Sequence, residues 1–166
     1  MILANTGGPV IPGFAAIVLA GGRSERMGRD KTRLLFGGVP LIERVLAAIR
    51  PLFTEVIVAG GVAGRFADLP GIKEVGDSIP DAGPLAGIRA GLVACAAPWA
   101  FVVAADMPNL DPTLIRRVTG LAAADVELVL PRQGPYVEPL HAAYHRDLVG
   151  AIDLLLHSGE RRPRLL

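Results

Sequence analysis

The sequence predicts an α/β fold in which one mostly parallel sheet is covered by helices on both faces. Short β-branched runs alternate along the chain with stretches of helical periodicity, as expected for parallel strands joined by helices. The run at residues 15–19 and the run at residues 100–104 are apolar throughout, as in strands buried on both faces. Because no repeat, linker or low-complexity segment interrupts the sequence, we expect one domain over residues 15–166 behind an N-terminal tail over residues 1–14.

Local signals place the individual elements. The helix predicted over residues 41–53 carries its apolar residues on one face. Asp111, followed by a proline, supplies an N-cap for a helix that runs to about residue 124. Asp147 is expected to cap a last helix, which Gly159 ends. Further helices are predicted over residues 65–69 and 84–96, and strands over residues 15–19, 55–59, 72–75, 100–104, 126–130 and 139–144.

The composition excludes several classes of protein. Hydrophobic residues make up 51% of the chain, which argues against disorder, yet no apolar run approaches the ~20 residues needed to cross a bilayer. The net charge of +1 gives no overall attraction to nucleic acid. Cys95 is the single cysteine, which excludes an internal disulfide and indicates a reducing compartment. We therefore expect a cytoplasmic protein that binds neither a membrane nor nucleic acid.

A glycine-rich, basic loop follows the first predicted strand. Gly21 and Gly22 follow it after a single residue, Ala20, at the end of the strand where ligands bind in open α/β sheets. Glycines allow backbone N–H groups to approach phosphate oxygens closely. Arg23, Arg26 and Lys31 supply the positive charge that a triphosphate requires. The loop is therefore predicted to bind a nucleoside triphosphate, the alternative being a solvated basic turn.

This loop matches neither of two common phosphate-binding motifs. The P-loop requires a glycine directly before its lysine, whereas Lys31 follows Asp30. The dinucleotide fingerprint requires the spacing G-x-G-x-x-G, whereas here two adjacent glycines precede Gly28 by six residues. The sequence therefore predicts a different kind of nucleotide-binding loop.

Asp106 is the candidate metal ligand. It follows the strand predicted over residues 100–104, so its carboxylate is expected at the same edge of the sheet as the glycine loop. Mg²⁺ prefers one or two carboxylates together with substrate phosphates. The alternative is that Asp106 only caps a turn before Pro108.

A third candidate element combines an aspartate with a helix start. Asp77 follows the strand predicted over residues 72–75 and offers hydrogen-bond acceptors for a base or a ribose. Gly83 and Gly87 would allow the backbone to come near a nucleoside. The alternative is a turn followed by helix packing.

Taken in order, these motifs resemble the molybdenum cofactor guanylyltransferase family. The resemblance extends over about residues 15–162, nearly the whole chain. The first loop alone is typical of the wider nucleotidyltransferase superfamily, and the complete ordered set points to this family. The matching segments are residues 19–22, 26–28, 30–31, 77–78, 83–87 and 106–108, and the weaker ones are residues 138–140 and 159–162.

The resemblance implies a Rossmann-like three-layer α/β/α sandwich of the nucleotide-diphospho-sugar transferase type. It implies transfer of GMP from GTP to the terminal phosphate of molybdopterin, with release of pyrophosphate and with Mg²⁺ as the metal. The backbone of Leu19, Ala20 and Gly21 would then contact the guanine. The remaining expected nucleotide contacts are Gly22, Lys31, Asp77, Gly83, Pro84 and Asp106, of which Asp106 holds the metal, and Arg23, Arg26, Lys31 and Asp106 are the expected catalytic residues.

Two features depart from the family's pattern. Some members carry an asparagine after the second strand as a nucleotide contact, where this sequence has Ala59 followed by two glycines. The chain also ends at Leu166, before the asparagine-rich segment that the family associates with molybdopterin, and we expect that it is truncated there. The sequence leaves open whether a protein delivers molybdopterin and which molybdoenzyme accepts the finished cofactor.

Other functions remain as alternatives. A molybdopterin cytidylyltransferase or a sugar-phosphate nucleotidyltransferase would use the same fold, but related cytidylyltransferases usually read Leu-Ala-Ala-Gly in this loop. Gly21 is expected to leave room for the larger guanine. A nicotinamide-dependent oxidoreductase is disfavoured by the missing fingerprint. A nucleotide-binding module without catalytic activity would release no pyrophosphate.

Overall fold

A six-stranded sheet forms the centre of the molecule. The structure, a computed structural model, describes residues 8–21, 31–61, 64–76 and 83–166. The sheet consists of β1 (Phe14–Leu19), β4 (Val56–Ala59), β5 (Lys73–Val75), β6 (Trp99–Ala104), β7 (Leu128–Val129) and β10 (His141–His145). These strands lie in the order β5-β4-β1-β6-β10-β7. The first four of them are parallel, whereas β10 runs antiparallel to both of its neighbours, so the predicted mostly parallel sheet is confirmed.

Helices cover both faces of this sheet. They are α1 (Leu41–Ile49), α2 (Gly83–Ala94), α3 (Pro112–Thr119) and α4 (Val149–His157). Successive strand residues point to opposite faces, so Ala16 and Val18 of β1 pack with α1 and α3 in one hydrophobic cluster. Ala15 and Ile17 pack with α2 and α4 in the other. The predicted three-layer α/β/α sandwich is therefore confirmed.

Two short hairpins lie outside the main sheet. One pairs β2 (Leu35–Phe36) with β3 (Val39–Pro40), directly before α1. The other pairs β8 (Arg132–Gln133) with β9 (Tyr136–Val137), between β7 and β10. Neither hairpin was predicted. Among the described residues, none of the helices reaches the length and hydropathy that a transmembrane helix requires.

Several predicted helix boundaries were wrong. The helix α1 ends at Ile49 rather than at residue 53, because Pro51 has no N–H to continue the ladder. The helix α3 does begin after its predicted N-cap, since the Asp111 carboxylate accepts a hydrogen bond from Thr113 N at 2.8 Å. It ends at Thr119 rather than near residue 124, with Gly120 as its C-cap.

Three further local predictions need correction. Residues 65–69 form turns instead of a helix. Asp147 does not cap α4, because it lies within a 3₁₀ turn that precedes the helix, and the N-cap position belongs to Leu148. Part of the segment assigned to the N-terminal tail, residues 1–14, packs on the domain. Ile11 is buried in the core and donates its N–H to Leu52 O, and Phe14 is the first residue of β1.

Candidate active site

The carboxyl ends of β1, β4 and β6 are hydrogen-bonded to one another at one edge of the sheet. Ala20 N donates to Ala59 O at 2.8 Å, and Ala105 N donates to Leu19 O at 2.9 Å. Gly21 and Asp106 are therefore the residues that immediately follow two joined strand ends. This is the placement that the sequence predicted for the first glycine of the loop and for the candidate metal ligand.

Gly21 is held against the turn that follows β4. A Cβ atom added at Gly21 would lie 3.1 Å from both Gly60 Cα and Gly61 N. Gly60 and Gly61 adopt φ angles of 105° and 78°, which are values that residues with side chains rarely adopt. The three glycines thus allow two backbone segments to approach more closely than side chains would permit. Close packing between strand ends is therefore a second reason for glycine at position 21, besides the predicted room for guanine.

Much of the backbone that was expected to contact the base is already engaged. Leu19 O accepts from Ala105 N, and Ala20 N gives its only proton to Ala59 O. Ala20 O accepts a 2.9 Å hydrogen bond from the guanidinium of Arg65. The carbonyl oxygens can each accept a second hydrogen bond. Base contacts from these two residues, which stay a prediction, would therefore use those second lone pairs.

The start of α2 lies at the same edge of the sheet. The other end of this helix lies at the opposite edge, because Ala94 O accepts from the ammonium of Lys73, the first residue of β5. Gly83 has a φ of 71°, and a Cβ atom added there would lie 3.3 Å from Arg161 Cβ. Pro84 follows it and is exposed. The expected nucleotide contacts in this segment therefore face the edge where β1 and β6 end.

A chain segment after α4 packs beside this helix start. The Glu160 carboxylate accepts hydrogen bonds from Arg161 N, Arg162 N and the Arg162 guanidinium at 2.7–2.9 Å. The Arg162 guanidinium and these two amides lower the pKa of Glu160 to about 2. Glu160 therefore stays ionised and fixes the backbone that abuts Gly83.

Lys31 and Asp106 are both exposed. Lys31 begins a 3₁₀ turn over Lys31–Arg33, and Asp106 lies in the turn after β6, where Met107 N donates to Ala104 O. Within the described residues no cluster of three or more His, Cys, Asp or Glu side chains could hold a metal ion by itself. A single exposed carboxylate still fits Mg²⁺, which takes one or two carboxylates and completes its shell with phosphate oxygens and water.

Four of the predicted site residues cannot be placed. Gly22, Arg23, Arg26 and Asp77 lie outside the described residues, so their roles stay predictions. Arg65, in contrast, was not predicted as part of the site. Its residue type and position suggested only a short surface helix, and no sequence signal linked it to Ala20, which lies 45 residues away.

Almost the whole chain matches one protein family. Residues 16–166 match the family described as the MobA-like NTP transferase domain, which is almost the complete chain. The chain belongs to this family. As a MobA-like protein it is a nucleotidyltransferase, and the family and the enzyme class that the sequence predicted are both confirmed.

Two curated relatives of this MobA-like chain carry the same name. The relatives from Pelotomaculum thermopropionicum and Chloroflexus aggregans are each called probable molybdenum cofactor guanylyltransferase. They are 39% and 37% identical to it over 137 and 160 residues, which cover 82% and 93% of this chain. The matched regions span 66% and 76% of the relatives' own lengths.

Solved structures have the same fold. Molybdopterin-guanine dinucleotide biosynthesis protein A from Archaeoglobus fulgidus superposes with a TM-score of 0.76 at 25% identity, covering 91% of this chain and 77% of that one. A manganese complex of Rv0371C from Mycobacterium tuberculosis H37Rv superposes with a TM-score of 0.66 at 22% identity, covering 90% and 84% of the two chains. These similarities confirm the Rossmann-like nucleotidyltransferase fold of the MobA-like chain.

Proposed function

We propose that this MobA-like chain transfers GMP from GTP to the terminal phosphate of molybdopterin and releases pyrophosphate. The family match and the names of the relatives support this reaction. The product would be the guanine dinucleotide form of the molybdenum cofactor. GTP and molybdopterin are the expected partners, and the cytoplasm is the expected compartment.

The hydrogen bond between Ala105 N and Leu19 O is the observation that carries the proposal. It joins the ends of β1 and β6, so the chain reaches Gly21 and Asp106 from two adjacent strand ends. A loop rich in glycine and cations suits a triphosphate, and a neighbouring carboxylate suits the metal that accompanies it. In this proposal, the two halves of the nucleotide–metal site come from adjacent strands.

Positioning and charge neutralisation supply the catalysis in this proposal. Phosphoryl-type transfer needs its reactants held in line and its negative charge balanced, and it does not need a protein nucleophile. Lys31 would bind the phosphates, and Asp77 would bind the nucleoside. Arg23 and Arg26 would stabilise the negative charge that develops on the leaving pyrophosphate. Gly22, Gly83 and Pro84 would contribute close backbone contacts. The attacking phosphate is already an anion, so no general base is required.

We propose Asp106 as the ligand of the divalent metal. Mg²⁺ bound there would neutralise charge on the triphosphate. The manganese complex of the Mycobacterium tuberculosis neighbour supports a divalent ion in a protein of this fold. Asp106 is exposed, so its carboxylate reaches solvent and does not have to break an internal contact to bind the ion.

Pyrophosphate release by the protein with GTP, Mg²⁺ and molybdopterin tests this function. We expect Asp106→Asn to lower the turnover about a hundredfold or more, because metal stabilisation of transferring phosphates contributes several kcal/mol. Asp125→Asn is the matched control, since this aspartate is also exposed and lies between Ala124 and Val126, which border the amino end of β6. An unchanged rate in Asp106→Asn would remove this residue from the mechanism.

The same assay separates the remaining alternatives. Replacement of GTP by CTP should lower the rate, and a higher rate with CTP would indicate a cytidylyltransferase. If neither nucleotide supports pyrophosphate release with molybdopterin, both molybdopterin nucleotidyltransferase reactions are excluded, and a sugar-phosphate nucleotidyltransferase or a module without catalytic activity remains. Metal-independent binding of NAD would instead favour an oxidoreductase.

A further inference from the structure

Arg65 links two segments of the candidate site. It lies in the turn region after β4 and is half-buried. Its Nη1 atom donates to Ala20 O at 2.9 Å, and its Nη2 atom lies 3.4 Å from Thr32 Oγ1, at the long end of hydrogen-bond distances. Ala20 directly precedes the predicted triphosphate loop, and Thr32 directly follows Lys31, its last predicted contact. One guanidinium therefore contacts both ends of that loop.

The guanidinium is itself held in place. Its carbon atom lies 4.9 Å from the centroid of the buried Phe66 ring, in cation–π geometry. Arg65 O accepts a 3.0 Å hydrogen bond from Arg33 Nη2. Arg33 also forms a bidentate ion pair with Asp68, at 2.8 and 3.0 Å. A second arginine, Arg33, thus connects the turn that carries Arg65 to the segment that follows the loop.

We propose that Arg65 is a positioning residue for nucleotide binding, which rests on the proposed function. The amides and cations of a phosphate-binding loop stabilise a triphosphate best when their positions are fixed before it binds. The forked guanidinium has the geometry to hold two acceptors at once, whereas a lysine ammonium is a compact point charge. Arg65 sets the distance between the two ends of the loop through its bonds to Ala20 O and Thr32 Oγ1.

The experiment measures the affinity of the purified full chain for GTP with Mg²⁺, by calorimetry, in matched variants. Hydrogen bonds from charged donors contribute enough that we expect Arg65→Ala to weaken GTP binding about 10- to 100-fold. Arg65→Lys should weaken it less. Arg50→Ala is the control, because Arg50 also donates to a backbone carbonyl, that of Pro70, and has no contact with the loop ends.

Hydrogen exchange gives a readout that does not depend on the ligand. Without GTP, Arg65→Ala should speed amide exchange in peptides that cover residues 19–21 and 31–34, and leave exchange in β10 unchanged. If Arg65→Ala does not fold, Arg65→Lys carries the same two measurements. Faster exchange at the loop ends together with weaker GTP binding, both absent from Arg50→Ala, supports the proposal.

Three other outcomes overturn it, and they can be told apart. If the wild-type chain binds GTP and the Arg65 variants bind it equally well, the role of Arg65 is wrong and the proposed function stands. The same holds if Arg50→Ala loses as much affinity as Arg65→Ala, because the effect would then be general destabilisation. If the wild-type chain binds no GTP, the proposed function fails, and the positioning role fails with it.

Discussion

Replacement of Gly21 by alanine tests how closely the ends of β1 and β4 must approach. The added Cβ would lie 3.1 Å from Gly60 Cα and Gly61 N and 3.3 Å from Gly60 C. All three atoms belong to the backbone, so they cannot move aside as the tip of a flexible side chain can. The φ angle of Gly21 is not positive, so the cost comes from these contacts and not from backbone strain.

The expected loss of stability is about 1 kcal/mol. Overpacking by one methyl group costs about 1–3 kcal/mol, and we take about 2 kcal/mol because the contacted atoms belong to the backbone, although Gly21 itself is exposed. Glycine-to-alanine replacement also restricts the unfolded chain, which offsets roughly 0.4–1 kcal/mol. In a chain of this length, about 1 kcal/mol corresponds to a fall in Tm of about 2–4 °C.

Thermal unfolding of Gly21→Ala beside Gly150→Ala provides the assay. Gly150 lies in the first turn of α4, and a Cβ atom added there meets nothing within 4 Å. Alanine has the higher helix propensity, so we expect this control to gain up to about 1 kcal/mol. A Gly21→Ala protein as stable as the wild type would refute the packing explanation. The ratio of GTP to CTP turnover in this variant then tests the predicted link between Gly21 and guanine.

Three further predictions concern charge and pH. Lys31→Ala should raise the KM for GTP, because it removes an exposed cation that is expected to bind the phosphates. An unchanged KM for GTP would contradict that role. Glu160→Gln should make the free energy of unfolding less dependent on pH between about 4.5 and 2. The pKa of Glu160 in the folded protein is lowered to about 2, so its ionised carboxylate stabilises the fold above pH 4.5, and this stabilisation is lost as the pH falls through that window. Burial lowers the pKa of His141 below its usual 6.5, so stability should fall with pH from 6.5 downward. His141→Phe should weaken this dependence without lowering the free energy of unfolding at pH 7.5. The reason is that Nε2 of His141 is buried with no partner among the described residues, and its ring already packs edge-on against Phe101. Denaturant unfolding at pH 7.5 and 5.5 measures both effects.

The strands were more predictable than the helix ends. β1 and β6 are buried on both faces, so their sequences are continuous apolar runs. The end of α1 depends on a smaller difference, because Leu52 and Phe53 stay buried in the core after the helix has stopped at Ile49. Burial continues there while the helix does not, so hydrophobic periodicity alone overestimates its length.

The candidate site shows the same division between local and tertiary information. Gly21 and Asp106 were predictable because each directly follows an apolar strand, and parallel strands present their carboxyl ends at one edge. The contact of Gly21 with Gly60 and the bonds from Arg65 to both ends of the loop join segments that are far apart in sequence. Such contacts follow from the packing of the folded chain, and no residue pattern in a single sequence encodes them.

The structure also explains one departure from the family's pattern. Ala59 is fully buried in the apolar cluster beneath α2, together with Leu19 and Leu85. An asparagine side chain at this position would place an amide in an apolar environment, which is unfavourable without hydrogen-bond partners. The following residue, Gly60, gives its N–H to Val75 O at 3.1 Å. Ala59 has no polar side-chain atom, so we predict that any nucleotide contact at this position comes from the backbone, where Gly21 closely approaches Gly60 and Gly61.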